Sequence, residues 1–202
     1  MVRVDGGADA ASRADPAHRD ALAREALGRD PEAVRRFLLV VAPTIGRACR
    51  GVMGPRHTDL EDTIQECFID VTRGLPYYRF EGNLLGFVAK IAVRRALVSR
   101  RRSVARSQHL QLLEDLHDQV PVDANIGELE RAEVVRDLIR RVRPIQAETL
   151  VMRVVLGFTV EEIALATEVS VNTVKTRLRL GKNALRRLLA WQARPAAKDG
   201  GG

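Results

Sequence analysis

The last third of the chain carries basic side chains that could bind phosphates. No Asp or Glu occurs between Val169 and Lys198, a stretch that includes Lys175, Arg177, Arg179, Lys182, Arg186 and Arg187. An exposed helix usually mixes charges of both signs, because i,i+4 pairs of opposite charge stabilise it. A face of one sign instead favours a polyanion as the binding partner. The chemistry offered here is therefore phosphate binding, and nucleic acid is the first candidate.

Two short helices joined by a tight turn are predicted to position these cations. Thr159 and Glu162 form a T-x-x-E capping box that starts the first helix, and Ser170 is a suitable N-cap for the second. The side chains predicted to pack between the helices are Ile163, Ala164, Val169, Val174 and Leu178. Those left to face outward are Asn172, Thr173, Lys175, Thr176, Arg177 and Arg179. This layout is typical of a helix-turn-helix, whose second helix enters the major groove. An ordinary helix pair with a solvated basic face is the alternative.

A second cationic segment lies near the middle of the chain, next to aromatic residues. Its basic residues are Lys90, Arg94, Arg95, Arg100, Arg101, Arg102 and Arg106. The aromatic residues beside it are Tyr77, Tyr78, Phe80 and Phe87. Cations hold phosphates, and aromatic faces stack on unpaired bases at about 1–3 kcal/mol each. The combination suits single-stranded DNA, whereas the alternative is that these aromatic residues, Phe87 above all, belong to the core.

The composition predicts an all-α protein with two small helical domains. The chain has 202 residues, a net charge of +7, an aromatic content of 4%, and many helix formers. Six acidic residues and no Lys or Arg fall between Leu112 and Glu130, which indicates an extended acidic linker. The expected organisation is a disordered N-terminus (1–16), a first domain (17–106), the linker (107–130), a second domain (131–191) and a flexible tail (192–202).

Several classes of function lack their motifs in this sequence. It has no phosphate-binding glycine loop, nucleophile elbow or metal-ligand spacing, so we expect no enzymatic activity, no cofactor and no metal. Cys49 and Cys67 are predicted to be buried free thiols. No apolar stretch approaches the roughly 20 residues that span a bilayer, and the N-terminus lacks the apolar segment of a signal peptide. We therefore expect a cytoplasmic protein without membrane insertion.

Two motifs in this order resemble the bacterial RNA polymerase sigma factors of the sigma-70 family. The first is Asp59-Leu60-Glu61-Asp62-Thr63-Ile64-Gln65-Glu66-Cys67-Phe68, similar to a D-x-E-D-[LIV]-x-Q-E-x-F pattern but with Thr63 in place of an aliphatic residue. The second is Glu161-Glu162-Ile163-Ala164, followed by the segment from Val169 to Leu178. Their order and separation resemble the extracytoplasmic-function (ECF) group, which has only regions 2 and 4.

The resemblance implies a role for each polar surface. It implies that one helix face docks on the clamp helices of the polymerase β′ subunit, through Asp59, Glu61, Asp62, Gln65 and Glu66. It implies contacts with the promoter −10 element from Tyr77, Tyr78, Phe80, Asn83, Lys90, Arg94 and Arg95. It implies contacts with the −35 element from Ser170, Asn172, Thr173, Lys175, Thr176, Arg177 and Arg179. The implied partners are core RNA polymerase (β′ and β), promoter DNA and, as is typical of the group, an anti-sigma factor.

Some positions depart from the pattern of the ECF group. Phe87 stands where Trp is usual, Arg94 where Asn is frequent, and Val98 where Asp is frequent. Glu168 replaces the usual turn glycine, at a cost of about 1 kcal/mol or more if the backbone is left-handed there. Asn172 replaces another frequent glycine.

We interpret the chain as a sigma factor that directs promoter-specific initiation by binding core polymerase, recognising the −35 and −10 elements and aiding promoter melting. A stand-alone helix-turn-helix transcriptional regulator is the alternative, and it would need neither an acidic docking face nor an acidic linker.

Overall fold

All regular structure in the described part of the chain is helical. The computed structural model describes residues 15–81, 83–113 and 127–192, and the predicted all-α fold is confirmed within these ranges. Its α-helices are Pro16–Leu27 (α1), Pro31–Met53 (α2), Leu60–Gly74 (α3), Leu84–Leu113 (α4), Glu128–Arg141 (α5), Pro144–Val154 (α6), Val160–Thr167 (α7) and Val171–Gln192 (α8). A 3₁₀ turn, Leu75–Tyr77, follows α3. None of these helices is both long and apolar enough to cross a membrane.

The first domain consists of α1 to α4, and its core lies where α2 and α3 pack on α4. Helix α2 begins after Asp30, whose carboxylate caps the helix by accepting the Ala33 N–H at 2.9 Å. Cys49 and Cys67 are fully buried free thiols, as predicted, with their Sγ atoms 3.7 Å apart. The contact with Cys49, together with burial, raises the pKa of the Cys67 thiol. Cys67 therefore packs against Cys49 as a neutral thiol within the core.

The second domain consists of α5 to α8 and contains the predicted helix-turn-helix in α7 and α8. The capping box is complete, because the Thr159 N–H donates to Glu162 Oε2 at 2.7 Å and the Glu162 N–H donates to Thr159 Oγ1 at 3.1 Å. Ser170 Oγ accepts the Thr173 N–H at 3.2 Å and so caps α8. Ile163 is fully buried between the helices. These local hydrogen bonds set the ends of both helices and thereby the face that α8 presents.

The predicted linker is shorter than expected at both ends. Helix α4 continues to Leu113 and α5 begins at Glu128, so residues 107–113 and 128–130 are helical rather than extended. The segment Ser-Gln-His-Leu-Gln-Leu-Leu after Arg106 contains no Pro or Gly, and a reversal of charge does not by itself end a helix. The remaining linker residues, 114–126, lie outside the described residues, as do most of the predicted N-terminus and tail.

The two domains lie in contact, with α4 of the first domain against α6 and α7 of the second. Near the end of α4, the buried Arg100 donates to the Met53 carbonyl at 2.6 Å and pairs with Glu133 of α5. Burial opposes ionisation of Glu133, but the hydrogen bond and charge of Arg100 outweigh it and lower the pKa of Glu133. This pair ties α5 to the junction of α2 and α4.

His57 lies at the turn between α2 and α3, next to that junction. Its Nδ1 accepts the Asp59 backbone N–H at 3.1 Å, which requires an unprotonated nitrogen. Burial lowers the pKa of His57 below its usual value of 6.5, and the nearby Asp59 carboxylate offsets this only in part. Folding therefore favours the neutral imidazole.

We expect His57 to make the fold sensitive to mild acid. Because the pKa of His57 is lower in the folded than in the unfolded chain, its contribution to stability is present above pH 6.5 and is lost as the pH falls through the folded pKa. His57→Asn keeps an acceptor for the Asp59 N–H and does not titrate. Thermal melts followed by circular dichroism at pH 7.5 and 5.5 should show a larger decrease in Tm for the wild type than for the variant. Equal decreases would contradict this account.

Candidate nucleic-acid interface

The exposed face of α8 carries the residues predicted to contact the −35 element. Asn172, Lys175, Thr176 and Arg179 are exposed, Thr173 and Arg177 are half-buried, and Val174 and Leu178 lie beneath them in the core. The close approach of α8 to α6 supports this face from behind, since a Cβ at Gly181 would lie 2.7 Å from Leu150 Cδ1. The predicted Ser170 is exposed, and its hydroxyl is already used by the cap and by Thr173 Oγ1 at 2.9 Å. The face therefore offers cations and amides in the geometry of a major-groove helix.

The turn between α7 and α8 contains a residue in the left-handed backbone conformation, although that residue is not glycine. Glu168 has φ 56° and ψ 43°, and its N–H caps the end of α7. A left-handed backbone costs a non-glycine residue about 1–2 kcal/mol. The Glu168 carboxylate also reaches the first domain, where it lies 3.4 Å from Arg79 Nη2 and 3.8 Å from Lys90 Nζ. Glu168 therefore has contacts with the first domain that a glycine in this turn would lack.

The aromatic residues predicted for the −10 element lie in different environments. Tyr77 is 83% exposed, so its ring is available to a ligand. Phe80 is half-buried, with φ 56° and with the Arg24 guanidinium 4.8 Å from its ring centroid. Tyr78 is only 8% exposed, and its ring packs against Phe80 and Phe87 with centroids 4.9 and 5.2 Å away.

Tyr78 is therefore a core residue in this structure, which argues against its predicted role as a stacking surface for a base. Its hydroxyl donates to Asp20 Oδ1 at 2.7 Å within the core. Burial and this hydrogen bond raise the pKa of the Tyr78 hydroxyl. The sequence pattern was ambiguous here, because an aromatic residue beside a cationic helix can face either a ligand or the core.

The polar residues predicted for the −10 element divide between two sides of α4. Asn83, Lys90 and Arg94 face the second domain: Asn83 Nδ2 donates to the Glu162 carbonyl at 2.8 Å, Lys90 Nζ to the Ala166 carbonyl at 3.2 Å, and Arg94 Nε to Glu148 Oε2 at 2.6 Å. Arg95 faces α3 instead, where it pairs with Asp70 and lies 3.5 Å from Glu66. The hydrogen bond with Asp70 raises the pKa of Arg95. The structure thus separates Arg95 from Lys90 and Arg94.

The residues predicted to dock on polymerase line the outer face of α3. Glu61, Asp62, Gln65 and Glu66 are exposed, and Asp59 is half-buried and pairs with Arg106. Three of these carboxylates, those of Asp59, Asp62 and Glu66, border a groove of about 880 Å³ between α3 and α4. Beneath it, Thr63 is buried and donates to Ser99 Oγ at 2.8 Å. This hydrogen bond accounts for a hydroxyl where the pattern of the ECF group has an aliphatic side chain.

Sequence reasoning missed Glu148, the partner of Arg94. Its side chain is 4% exposed, and it lies in α6 among the buried residues Ala147, Leu150 and Val151. A lone acidic residue on the apolar face of a helix was the available signal, because a buried carboxylate needs a cationic partner.

The fold and the exposed face of α8 define a helix-turn-helix DNA-binding protein. Residues 132–185 match the family described as Sigma-70, region 4. The chain is 29% identical over 164 residues to the ECF RNA polymerase sigma factor SigD of Mycobacterium tuberculosis, a match covering 77% of this chain and 76% of SigD. SigD of Mycobacterium bovis matches equally well. The fold resembles that of CnrH, solved in complex with the cytosolic domain of CnrY, with a TM-score of 0.56 and 18% identity over 87% of this chain and 99% of CnrH.

These similarities agree with the two motifs and with the arrangement of the helices. Residues 132–185 therefore match sigma-70 region 4, and the similarity to SigD over most of the chain supports the function of an ECF RNA polymerase sigma factor.

A core role for Tyr78 predicts that its hydroxyl stabilises the fold rather than binding DNA. Tyr78→Phe removes a donor from the buried Asp20, and we expect a loss of about 1–3 kcal/mol in the free energy of unfolding. Tyr77→Phe, at an exposed position, should change it by less than about 0.5 kcal/mol. Urea denaturation measures both values. Equal stabilities of the two variants would show that the Tyr78 hydroxyl has no structural role.

Proposed function

We propose that this sigma factor docks on the β′ clamp helices of core RNA polymerase through the acidic outer face of α3 and places α8 on duplex DNA at the −35 element. The observation that carries this proposal is the separation of charge between the two faces. The exposed residues of α3 in the docking face are acidic or amide, whereas those of α8 are cationic or neutral. Opposite charges on separate domains suit two different partners, one basic protein surface and one polyanion.

The −35 contact would use both the position and the charge of α8. Lys175 and Arg179 are positioned to bind phosphates, and Asn172 and Thr176 to approach base edges near the start of the helix. The N-terminal end of a helix adds a favourable field for phosphate. Charge would therefore supply affinity, and the amide and hydroxyl groups would supply sequence preference.

The −10 contact would use the first domain. Tyr77 offers an exposed ring for an unpaired base, and Lys90 and Arg94 offer cations on the same side of α4. We do not include Tyr78, because its ring is buried. Arg95 is a weaker candidate, because the acids that neutralise it, Asp70 and Glu66, belong to its own domain. Stacking on the exposed ring of Tyr77 would favour the melted strand over the duplex.

The proposal assigns residues 17–106 to core and −10 binding and residues 131–191 to −35 binding, and it assigns no covalent chemistry to the chain. The protein would act in the cytoplasm with the polymerase, and an anti-sigma factor would be a further partner. In vitro transcription with core polymerase on genomic fragments tests the proposal. New start sites that require the protein are expected, whereas failure to initiate and to co-elute with core polymerase would favour the stand-alone regulator.

Reversing charge on the α3 face should weaken binding to core polymerase. We expect Asp62→Lys combined with Glu66→Lys to reduce the affinity at least about tenfold, because like charges across an interface repel. Glu25→Lys combined with Glu32→Lys is a control with the same change in charge, since these two exposed acids pair with arginines, as Glu66 does, but lie on α1 and α2. Fluorescence anisotropy with labelled core polymerase gives both affinities. A similar loss in the control would indicate an effect of net charge alone.

Removing a cation from α8 should flatten the salt dependence of duplex binding. Lys175→Ala should reduce the slope of log K against log salt by about 0.9, the value for one phosphate contact on duplex DNA. Arg186→Ala provides a control on the same helix, because Arg186 is exposed but lies beyond the predicted contact face and bonds to Asn183. Titrations of a 30-base-pair duplex at several salt concentrations measure the slopes. An unchanged slope for Lys175→Ala would remove this residue from the phosphate contacts.

A further inference from the structure

Residues of the second domain already bind the cations of the first domain that face them, including two that are proposed to contact the −10 element. Lys90 bonds to the Ala166 carbonyl and lies near Glu168, and Arg94 pairs with Glu148. Arg79, beside the exposed Tyr77, also lies 3.4 Å from the Glu168 carboxylate. We refer to these five charged residues, Arg79, Lys90, Arg94, Glu148 and Glu168, as the interdomain latch.

Two members of the latch are departures from the pattern of the ECF group. Arg94 stands where that group often has Asn, and Glu168 stands where it usually has a turn glycine. Each meets a charge of opposite sign on the other domain. Glu168 keeps its left-handed backbone despite its side chain, and its contacts with Arg79 and Lys90 lie across the domain boundary. The unusual residues therefore coincide with the contact between the domains.

We propose that the latch is an autoinhibitory contact in which Glu148 and Glu168 hold the cations that would otherwise bind the phosphates of −10 DNA. This inference rests on the proposed role of the first domain in −10 binding. A carboxylate and a DNA phosphate compete for the same guanidinium or ammonium group, since both are anions that accept its hydrogen bonds. Asn83 is held in the same contact through the Glu162 carbonyl. DNA can therefore engage this side of α4 only after the second domain moves away.

The latch is built to open rather than to hold the domains permanently. The ion pairs of Glu168 join partly exposed side chains, and such pairs contribute little to stability. Glu148 is buried, but its Oε1 has no hydrogen-bond partner among the described residues. A buried carboxylate with an unsatisfied oxygen is better solvated once the domains separate. Binding of DNA or of polymerase can therefore compensate for the contacts that are lost.

A second contact between the domains, which does not involve the latch residues, offers an independent way to separate them. Gly51 of α2 lies against Val155, which follows α6, and a Cβ at Gly51 would lie 2.4 Å from Val155 Cγ1. The three atoms nearest to that Cβ position all belong to Val155. Alanine favours a helix more than glycine does, so Gly51→Ala should not weaken α2 itself. The substitution therefore acts as a wedge between the domains and changes no charge.

The first test replaces the two acidic side chains of the latch with neutral side chains of the same shape. The free full-length protein is titrated with a fluorescein-labelled 20-nucleotide single-stranded DNA of mixed sequence. We expect Glu148→Gln combined with Glu168→Gln to raise the affinity at least about fivefold, because less of the protein is held in the closed form. Glu25→Gln combined with Glu32→Gln removes the same charge on α1 and α2 and should change the affinity less than about twofold. Equal gains in the two double variants would overturn the proposal.

The second test uses the wedge and its relief, and it decides the matter even if the first variant folds poorly. Gly51→Ala should raise the affinity for the same DNA at least about fivefold, and adding Val155→Ala should restore the wild-type value because the clashing methyl group is gone. An unchanged affinity in Gly51→Ala overturns the proposal. A gain that Val155→Ala does not reverse also overturns it, because the substitution would then act elsewhere.

The two proposals fail in different experiments. The DNA titrations use the free protein, so they report on the latch without polymerase. Transcription by the wild-type protein with core polymerase reports on the proposed function. If the wild type directs initiation but the latch variants bind DNA as their controls do, only the latch is wrong. If the wild type directs no initiation, the proposed function is wrong whatever the titrations show.

Discussion

The structure depends on helix α4, because one of its sides packs on the first domain and another contacts the second domain. Its apolar side consists of small and β-branched residues that are fully buried against α2 and α3: Val88, Ala89, Ala92, Val93 and Ala96. Small side chains allow a close approach between helices and leave little unfilled volume. Cations lie on other sides of α4, and the neighbours of Lys90, Arg94 and Arg95 supply carboxylate or carbonyl oxygens to them. The packing of the first domain and the contact between the domains are thus consequences of one helix.

Electrostatics then divides the cations of α4 into groups with different partners. Arg95 is neutralised within its own domain by Asp70 and Glu66 of α3, whereas Arg100 is held both by Met53 of its own domain and by Glu133 of the second domain. Lys90 and Arg94 face the second domain instead. A cation that is paired inside one domain stabilises that domain, whereas a cation paired between domains can exchange partners when they move. This difference separates structural arginines from those available to DNA.

The charged side chains of α3 and α8 also remain available to other molecules, because they lie on the surface of the protein. The acids of α3 remain exposed beside a groove, and the cations of α8 remain exposed because Val174 and Leu178 fill the core beneath them. On both faces, some of the charged side chains have no partner of opposite sign among the described residues. Each face can therefore bind another molecule. The capping box of α7 and the Ser170 cap matter here because they determine where α8 begins and hence its rotational setting.

The amino-acid sequence by itself determined the helical class, the capped helix-turn-helix and the outward face of α8. These features depend on local spacing and on hydrogen bonds within four residues, which a sequence states directly. It also pointed to Phe87 as a core residue, in agreement with its half-buried position against Tyr78. Helix α4 extends beyond its predicted end, because a reversal of charge does not end a helix where no helix breaker is present.

Only the tertiary structure decided the burial of Tyr78, the separation of Arg95 from Arg94, and the pairing of Glu148 and Glu168 with the first domain. Each of these depends on residues far apart in the chain, such as Asp20 for Tyr78 and Glu148 for Arg94. Adjacent residues on a helix point about 100° apart, so Arg94 and Arg95 meet different neighbours although the sequence treats them alike. The physical reason is that charge and aromaticity are properties of a residue, whereas partners are a property of the fold.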